Sequence, residues 1–276
     1  MAVAADSALE RVVREALAED VGGGDVTTEG IVPPDAVSTA NVLLKEPGVV
    51  AGLDAVEAVF RALHPAVRCE RLAADGDAVV GPVARVHGST RAILTGERTA
   101  LNLLGRLSGV ATLTRRYVDE VAGTGAVVLD TRKTTPGLRE LEKRAVAAGG
   151  GRNHRLGLHD AILVKDNHRA FAGGIGAAVE RLREAGSGLP IRMECDTLAE
   201  VREALAAGVD SILLDNMSLD ELRQAVALVA GRVPLEASGG VDLGTVRAIA
   251  ETGVDFVSVG ALTHSARSLD VSLEVL

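Results

Sequence analysis

Polar residues follow six short apolar segments of this sequence, and their types suit them to chemistry. The six clusters are Asp130–Lys133, Lys165–His168, Glu194, Asp215–Asn216, Ser238–Gly240 and Gly260–Ala261. In α/β barrels the functional site lies where several strand ends meet. A polar residue after one strand is ordinary, but six consecutive polar ends predict a site.

The region 130–169 is basic within an acidic chain. It holds nine Lys or Arg and five Asp or Glu, a local balance of +4, whereas the whole chain has a net charge of −9. Several of these cations fall on a predicted helix among acidic neighbours, where paired charges explain them. The cations in loops or at strand ends are Arg132, Lys133, Arg155 and Lys165. Because arginine suits bidentate recognition of carboxylate and phosphate, we expect a small ligand with several negative charges.

Two glycine-containing ends indicate a phosphate site. Ser238, Gly239 and Gly240 follow one predicted strand, and Gly260 and Ala261 follow the next. Glycine lets backbone N–H groups approach a phosphate, and in barrels the loops after the last two strands commonly do so.

Two carboxylates and a histidine complete the candidate set. Glu194 and Asp215 end neighbouring predicted strands, where carboxylates beside a polyphosphate hold Mg²⁺ or ribose hydroxyls. Pairing with lysines of the site is the alternative for either acid. His154 stands beside Arg155 in the basic loop, which favours ligand contact over a structural role. Cys195 is predicted to be a small buried side chain.

The elements that position these residues predict an α/β protein. Residues 1–100 combine helix and strand signals and are interpreted as an α+β sandwich domain, which the tail 267–276 would join. Residues 101–266 begin with a long helix at about 97–121 and then alternate short apolar strands with amphipathic helices. The predicted strands are 127–130, 161–165, 191–194, 211–215, 234–237 and 256–260. About six strands indicate a small or incomplete parallel α/β barrel, with an open doubly wound sheet as the alternative.

Composition excludes several classes of function. With aromatic residues at 1% and a net charge of −9, neither base stacking nor a general nucleic-acid surface is expected. The two cysteines have no paired spacing, so we expect no disulfide framework and no zinc site. No apolar stretch approaches the ~20 residues that span a bilayer. These features predict a soluble cytoplasmic protein without membrane or nucleic-acid partners.

Several runs of the sequence resemble one enzyme family. They are Glu97–Asn102, Asp130–Arg139, Leu141–Lys143, Gly149–Arg155, Lys165–His168, Leu214–Met217 and Glu236–Gly240. The family is quinolinate phosphoribosyltransferase, or carboxylating nicotinate-nucleotide pyrophosphorylase. The likeness extends from Glu19 to Ser265, which is nearly the whole chain.

The resemblance implies a reaction. Quinolinate and phosphoribosyl pyrophosphate would give nicotinate mononucleotide, pyrophosphate and CO₂ in NAD biosynthesis, with Mg²⁺ accompanying the donor and no organic cofactor. It also implies a homodimer, or a larger assembly, in which Arg98 completes the neighbouring subunit's site.

The resemblance also implies residue roles. The residues around quinolinate would be Arg98, Arg132, His154, Arg155 and Lys165. The donor would be attended by Lys133, Glu194 and Asp215 as catalytic residues, with the two acids at the metal directly or indirectly. Thr131 would contact substrate, and the two glycine loops would hold the 5′-phosphate.

One position departs from the family pattern. The family often carries two glutamates at alternate positions of the third barrel strand, and Arg192 replaces the first of them. We expect this exchange to alter the surroundings of the metal or ribose, with Glu194 kept as the functional acid.

Two other functions remain as alternatives. A related enzyme could use nicotinate or another acceptor. A non-catalytic phosphometabolite-binding regulator would need the glycine loops, but it would not need the two acids and the basic loop together.

Overall fold

The computed structural model describes residues 7–276. These residues form two compact units. The first comprises the residues up to Arg115, Thr134–Gly150 and Leu262–Leu276, and the second comprises Arg116–Lys133 and Gly151–Ala261. The predicted boundary near residue 100 lies inside the helix that runs from Thr90 to Glu120, and the two units divide later in that helix, after Arg115.

The first unit combines helices with one antiparallel sheet. Its elements are α1 (Ala8–Val21), α2 (Val26–Ile31), β1 (Val37–Val49), α3 (Leu53–Leu63), β2 (Arg68–Arg71), β3 (Ala78–Ser89), most of α4 (Thr90–Glu120), α5 (Arg139–Ala148) and β10 (Val271–Val275). The strand order is β10-β1-β3-β2, so the C-terminal strand lies at one edge of this sheet. Val42 of β1 pairs with Ala84 of β3 and Leu273 of β10. Val42, Phe60 and Leu104 are buried in the core of the unit.

The second unit contains six parallel strands. They are β4 (Val127–Leu129), β5 (Ile162–Val164), β6 (Ile191–Cys195), β7 (Ser211–Asp215), β8 (Leu235–Ser238) and β9 (Phe256–Ser258). The helices are α6 (Asp166–Ala172), α7 (Ile175–Glu184), α8 (Leu198–Ala207), α9 (Leu219–Val229), α10 (Val246–Ala250) and the start of α11 (Ala261–His264).

The strand order confirms the predicted barrel-like fold. It runs β4-β9-β8-β7-β6-β5, so strands adjacent in sequence from β5 to β9 are also adjacent in the sheet. A doubly wound sheet would instead reverse direction at a switch point. Within residues 7–276 the outer strands β4 and β5 are not paired, which leaves the barrel incomplete.

The strands were predicted as continuous apolar runs, but in several of them apolar residues alternate with polar ones. Met193, Ile212 and Val257 are buried apolar residues. Arg192 and Glu236 occupy the other face of their strands, because successive side chains of a strand point to opposite faces. One face of the sheet therefore packs in the apolar core, and the other carries polar groups.

Helix α6 was not predicted, because it begins directly after Lys165, where loop was expected. The long helix α4 was predicted, but it begins at Thr90 rather than near residue 97. Among the helices of residues 7–276, none is both long and apolar enough to cross a bilayer.

Candidate active site

The polar strand ends of the second unit meet along one edge of its sheet. Asp215 is directly opposite Ser238 on the neighbouring strand, and Glu194 is opposite Leu213. Because all six strands are parallel, their carboxyl ends lie on the same side. Of the predicted site residues, all but Arg98 belong to this unit, from Thr131 to Ala261.

The end of β4 is connected to the basic loop by a buried carboxylate. Asp130 is fully buried, and its Oδ1 accepts a hydrogen bond of 2.8 Å from the backbone N–H of His154. One residue further, the Thr131 hydroxyl accepts a 3.0 Å bond from the backbone N–H of Lys133. This turn leaves the side chain of Lys133 exposed. Asp130 was not predicted as a positioning residue, although its place at a strand end was noted.

Arg155 presents a half-buried cationic group. Its Nη1 donates to the carbonyl of Ala161 at 3.2 Å, while its Nε is buried without a hydrogen-bond partner among the described residues. Burial and the neighbouring charge of Arg132 lower the pKa of Arg155 below its ordinary value. The two guanidinium groups repel each other, and an anion that binds both relieves this repulsion. An anionic ligand is what the basic residues of this loop predict.

Glu194 is paired with a lysine. Lys165 Nζ lies 2.5 Å from Glu194 Oε2, and the Glu194 side chain is only 10% exposed, against 48% for Lys165. In this structure Glu194 therefore pairs with a lysine of the site, which is the alternative that the sequence analysis left open. Lys165 can donate hydrogen bonds to a carboxylate of a ligand, and Glu194 can accept hydrogen bonds from its hydroxyl groups.

Asp215 is oriented by the residue that follows it. Asn216 Nδ2 donates to Asp215 Oδ2 at 2.7 Å, and the Asn216 backbone N–H donates to the carbonyl of Ser238 at 2.9 Å. Asn216 adopts a positive φ of 53°, which is uncommon for a residue other than glycine. Strained backbone of this kind clusters at functional sites.

The loop after β8 requires glycine. Gly239 and Gly240 have φ values of 94° and 60°. A Cβ on Gly239 would collide with the amide side chain of Asn216. Backbone N–H groups are accessible in such a loop, which suits the predicted phosphate contact. Gly260 lies between β9 and α11, and Ala261 is the first residue of α11.

Arg98 lies apart from this group in the chain. It belongs to α4 and to the first unit, and its side chain is exposed. The contribution of Arg98 to a site therefore stays a prediction.

Three residues of the same sheet face were not predicted as site residues. Arg192, Glu236 and Ser258 form a polar cluster with His154, in which Glu236 and Ser258 are buried and Arg192 is half-buried. In the structure the partners of Arg192 are Glu236, Ser211 and His154, and its expected effect on the metal or ribose surroundings stays a prediction. Glu236 could have been found as a charged residue inside an otherwise apolar predicted strand.

A metal site built by protein side chains alone is not present in the described part of the chain. Residues 7–276 contain no group of three or more His, Cys, Asp or Glu arranged to hold a metal ion. Glu194 and Asp215 lie on one face of neighbouring strands, which gives two carboxylates. Mg²⁺ accepts such a pair when substrate phosphates and water supply its remaining ligands.

Comparison with known proteins places the chain in a family. Residues 25–108 match the model of the quinolinate phosphoribosyl transferase N-terminal domain, and residues 110–274 match that of its C-terminal domain. A probable nicotinate-nucleotide pyrophosphorylase (carboxylating) of Synechocystis sp. is 46% identical over 266 residues, covering 94% of this chain and 90% of that protein. The mitochondrial quinolinate phosphoribosyltransferase (decarboxylating) 2a of Nicotiana tabacum is 41% identical over 289 residues, covering 97% and 82%.

A solved structure agrees in fold over almost the whole chain. The nicotinate-nucleotide pyrophosphorylase of Francisella tularensis superposes with a TM-score of 0.94 at 40% identity, covering 98% of this chain and 96% of that one. Matches to both domain models, together with these relatives, confirm the resemblance carried by the sequence motifs. The chain belongs to the quinolinate phosphoribosyl transferase family.

Proposed function

We propose that the strand-end site transfers a phosphoribosyl group from phosphoribosyl pyrophosphate to quinolinate. The products are nicotinate mononucleotide, pyrophosphate and CO₂, and the reaction belongs to NAD biosynthesis. The observation that carries this assignment is the pair of neighbouring guanidinium groups, Arg132 and Arg155, on the strand edge that also bears Glu194 and Asp215. The family membership of both domains supports it.

The acceptor is bound by the cationic side of the site. Quinolinate carries two adjacent carboxylates, and the cations available to them are Arg132, Arg155 and Lys165, with His154 beside them. The buried Nε of Arg155 offers a donor to an anion. Planar guanidinium groups match planar carboxylates through paired hydrogen bonds.

The donor is bound on the opposite side. Its 5′-phosphate meets the loops of Ser238–Gly240 and Gly260–Ala261, and its ribose and pyrophosphate meet Lys133, Glu194 and Asp215. Thr131 supports this side by holding the backbone of Lys133. Glu194 and Asp215 are the residues that would hold Mg²⁺, directly or through water. When bound, the ion neutralises charge on the leaving group.

The chemistry is positioning and electrostatic stabilisation. The C1′ centre of the ribosyl group develops oxocarbenium character as the pyrophosphate departs, and the ring nitrogen of quinolinate attacks it. No protein nucleophile is needed. Once the nitrogen is quaternary, the positive ring stabilises the electron pair left at C2, and the adjacent carboxylate leaves as CO₂.

A dimer completes the site in this proposal. The exposed guanidinium of Arg98 serves the acceptor pocket of a second copy of the chain. Cys69 and Cys195 are both free thiols, which supports a cytoplasmic location for this chain.

Substrate preference tests the assignment against the nicotinate alternative. One carboxylate would leave much of the positive charge around Arg132 and Arg155 uncompensated, and sites built to pair with a polar group reject analogues that lack it by up to ~10⁴-fold. Nicotinate mononucleotide formation is measured from each acid with donor and Mg²⁺ present. We expect product and CO₂ from quinolinate only. Comparable rates from nicotinate, or no CO₂ from quinolinate, would contradict the proposal.

A further inference from the structure

Below the strand ends, a carboxylate is buried in the second unit with polar partners on three sides. Glu236 lies on β8 and is 1% exposed. Arg192 Nη1 lies 2.6 Å from its Oε2. The Ser258 hydroxyl donates to Oε1, and His154 Nε2 lies 3.5 Å from the same oxygen. Arg192, His154 and Ser258 thus converge on one carboxylate from different segments of the chain.

This carboxylate is charged despite its burial. Burial by itself would raise the pKa of Glu236. The contact with His154 and the charge of Arg192 outweigh it and hold the pKa below its ordinary value. A charged carboxylate in a dry site is stable only while its donors remain in place. Glu236 therefore fixes the positions of its partners.

The ring of His154 is held at both nitrogens. The backbone N–H of Arg155 donates to His154 Nδ1 at 2.7 Å. Its Nε2 lies 3.5 Å from Glu236 Oε1 and also contacts Arg192 Nη1. The backbone of His154 is fixed separately by Asp130. The imidazole ring of His154 thus connects the segment His154–Arg155 to Glu236.

Arg192 stabilises this arrangement from the neighbouring strand. Its Nε donates to the Ser211 hydroxyl at 3.1 Å, and its Nη1 contacts His154 Nε2 as well as Glu236. Arg192 also contributes to the lowered pKa of Arg155, after burial and Arg132. Glu236 thus offsets a charge that would otherwise repel the cations of the acceptor side.

We propose that Arg192 and Glu236 are positioning residues for the acceptor: they hold His154 and Arg155 in the orientation that binds quinolinate. The inference rests on the proposed function, because the proposed function places His154 and Arg155 on the acceptor side. It predicts an effect on quinolinate binding and none on the phosphoribosyl donor, whose contacts lie elsewhere along the strand edge.

The test removes both charges together. Removing one alone would leave its partner as an unpaired buried charge, which is strongly destabilising. We expect the Arg192→Met/Glu236→Gln variant to fold and to raise KM for quinolinate by at least ~10-fold, since misplaced binding groups cost factors of this size. KM for the donor stays within about a factor of two. The matched control is Arg247→Met, which removes a guanidinium bound to Glu251 on the same unit.

Two results would overturn the inference. One is a folded double variant with the wild-type KM for quinolinate, and the other is an equal rise in KM for both substrates. If the double variant fails to fold, Ser258→Ala removes the hydroxyl that donates to Glu236 Oε1 and is expected to raise KM for quinolinate about threefold, again without affecting KM for the phosphoribosyl donor. An unchanged KM in that variant also counts against the proposal.

A spectroscopic measurement separates this inference from the reaction itself. In the wild-type chain labelled with ¹⁵N-histidine, the ring signals of His154 are assigned with the His154→Asn variant. We expect these signals to shift in the double variant, because Arg192 and Glu236 contact the ring. His154 signals that are the same in the wild type and in the folded double variant would overturn the inference even if quinolinate is turned over. Shifted His154 signals together with a wild type that shows no quinolinate-dependent pyrophosphate release would instead refute the proposed function.

Discussion

Lys165 Nζ lies 2.5 Å from Glu194 Oε2 and so joins the end of β5 to the polar face of β6. Lys165 belongs to the proposed acceptor side of the site, and Glu194 belongs to the proposed donor side. The ion pair therefore couples the two halves of the site. Because Glu194 is largely buried and Lys165 is half exposed, the lysine is the partner that can move when substrates bind.

The first prediction concerns this pair. Glu194→Gln keeps the size of the side chain but removes its charge, and we expect kcat/KM to fall by at least ~10²-fold, the scale of losing one electrostatic contact in the transition state. Combining it with Lys165→Met should cost less than the sum of the single effects, because the residues interact. Steady-state kinetics of the three variants measure this.

The control for these three variants is a substitution at Asp196, two residues after Glu194. Asp196 pairs with Arg169 on the helical side rather than with Lys165. Asp196→Asn should leave kcat/KM within about threefold of the wild type, as expected for a surface substitution away from the site. Strict additivity of the Lys165 and Glu194 effects would show that the ion pair has no role in turnover.

The second prediction concerns Lys133. Its side chain is exposed after the turn held by Thr131, and Lys133 takes part in that turn through its backbone N–H, which alanine retains. Lys133→Ala should therefore fold normally and lower turnover by at least ~10²-fold through loss of a charge contact with the donor. Wild-type turnover in a variant with an unchanged melting temperature would remove Lys133 from the proposed catalytic set.

The third prediction tests the contribution of Arg98 across a dimer. Inactive Arg98→Ala and Lys133→Ala chains are mixed so that mixed dimers form. If Arg98 serves the partner's site, one of the two sites in each mixed dimer carries neither substitution, and activity should return. Subunit exchange is confirmed with differently tagged chains. With exchange shown, absence of rescue would place Arg98 in its own subunit's site or outside any site.

The fourth prediction concerns acid stability of the first unit. Arg267 Nη1 donates to Glu46 Oε1 at 2.8 Å, and the backbone N–H of Asp270 donates to the same oxygen at 3.0 Å. The bond from Arg267, followed by that from Asp270, lowers the pKa of Glu46 from 4.5 to about 2. Because the folded-state pKa is the lower one, the contact stabilises the chain above about pH 4.5, and the contribution is lost as the pH falls towards about 2.

Melting temperatures of the wild type and Glu46→Gln measure this linkage. We expect a lower melting temperature for the variant at neutral pH and a gap that closes as the pH falls below 4.5. Glu274→Gln, an exposed substitution on β10, is the control. A gap that is independent of pH would show that the carboxylate charge of Glu46 does not contribute.

The elements of the second unit followed from local sequence. The strand Ser211–Asp215 and the helix near residues 197–207 were predicted almost to the residue, because apolar runs and amphipathic helices alternate there with clear caps such as Thr197. The helix Asp166–Ala172 was missed because it is short and carries the polar residues Asp166, Asn167 and His168 at its start. Those polar residues made the segment look like a loop.

What the sequence by itself determined is the family, the six-stranded α/β architecture and the identity of the residues at the strand ends. Residue type and spacing are local properties of the chain, so motifs such as Asp130–Lys133 could be read directly. The tertiary structure alone decided which of these residues pair. That Glu194 binds Lys165, and that Glu236 binds Arg192 beside His154, depends on strand order and register. Hydrogen bonds and ion pairs act over a few ångströms, and only folding brings residues so distant in sequence within that range.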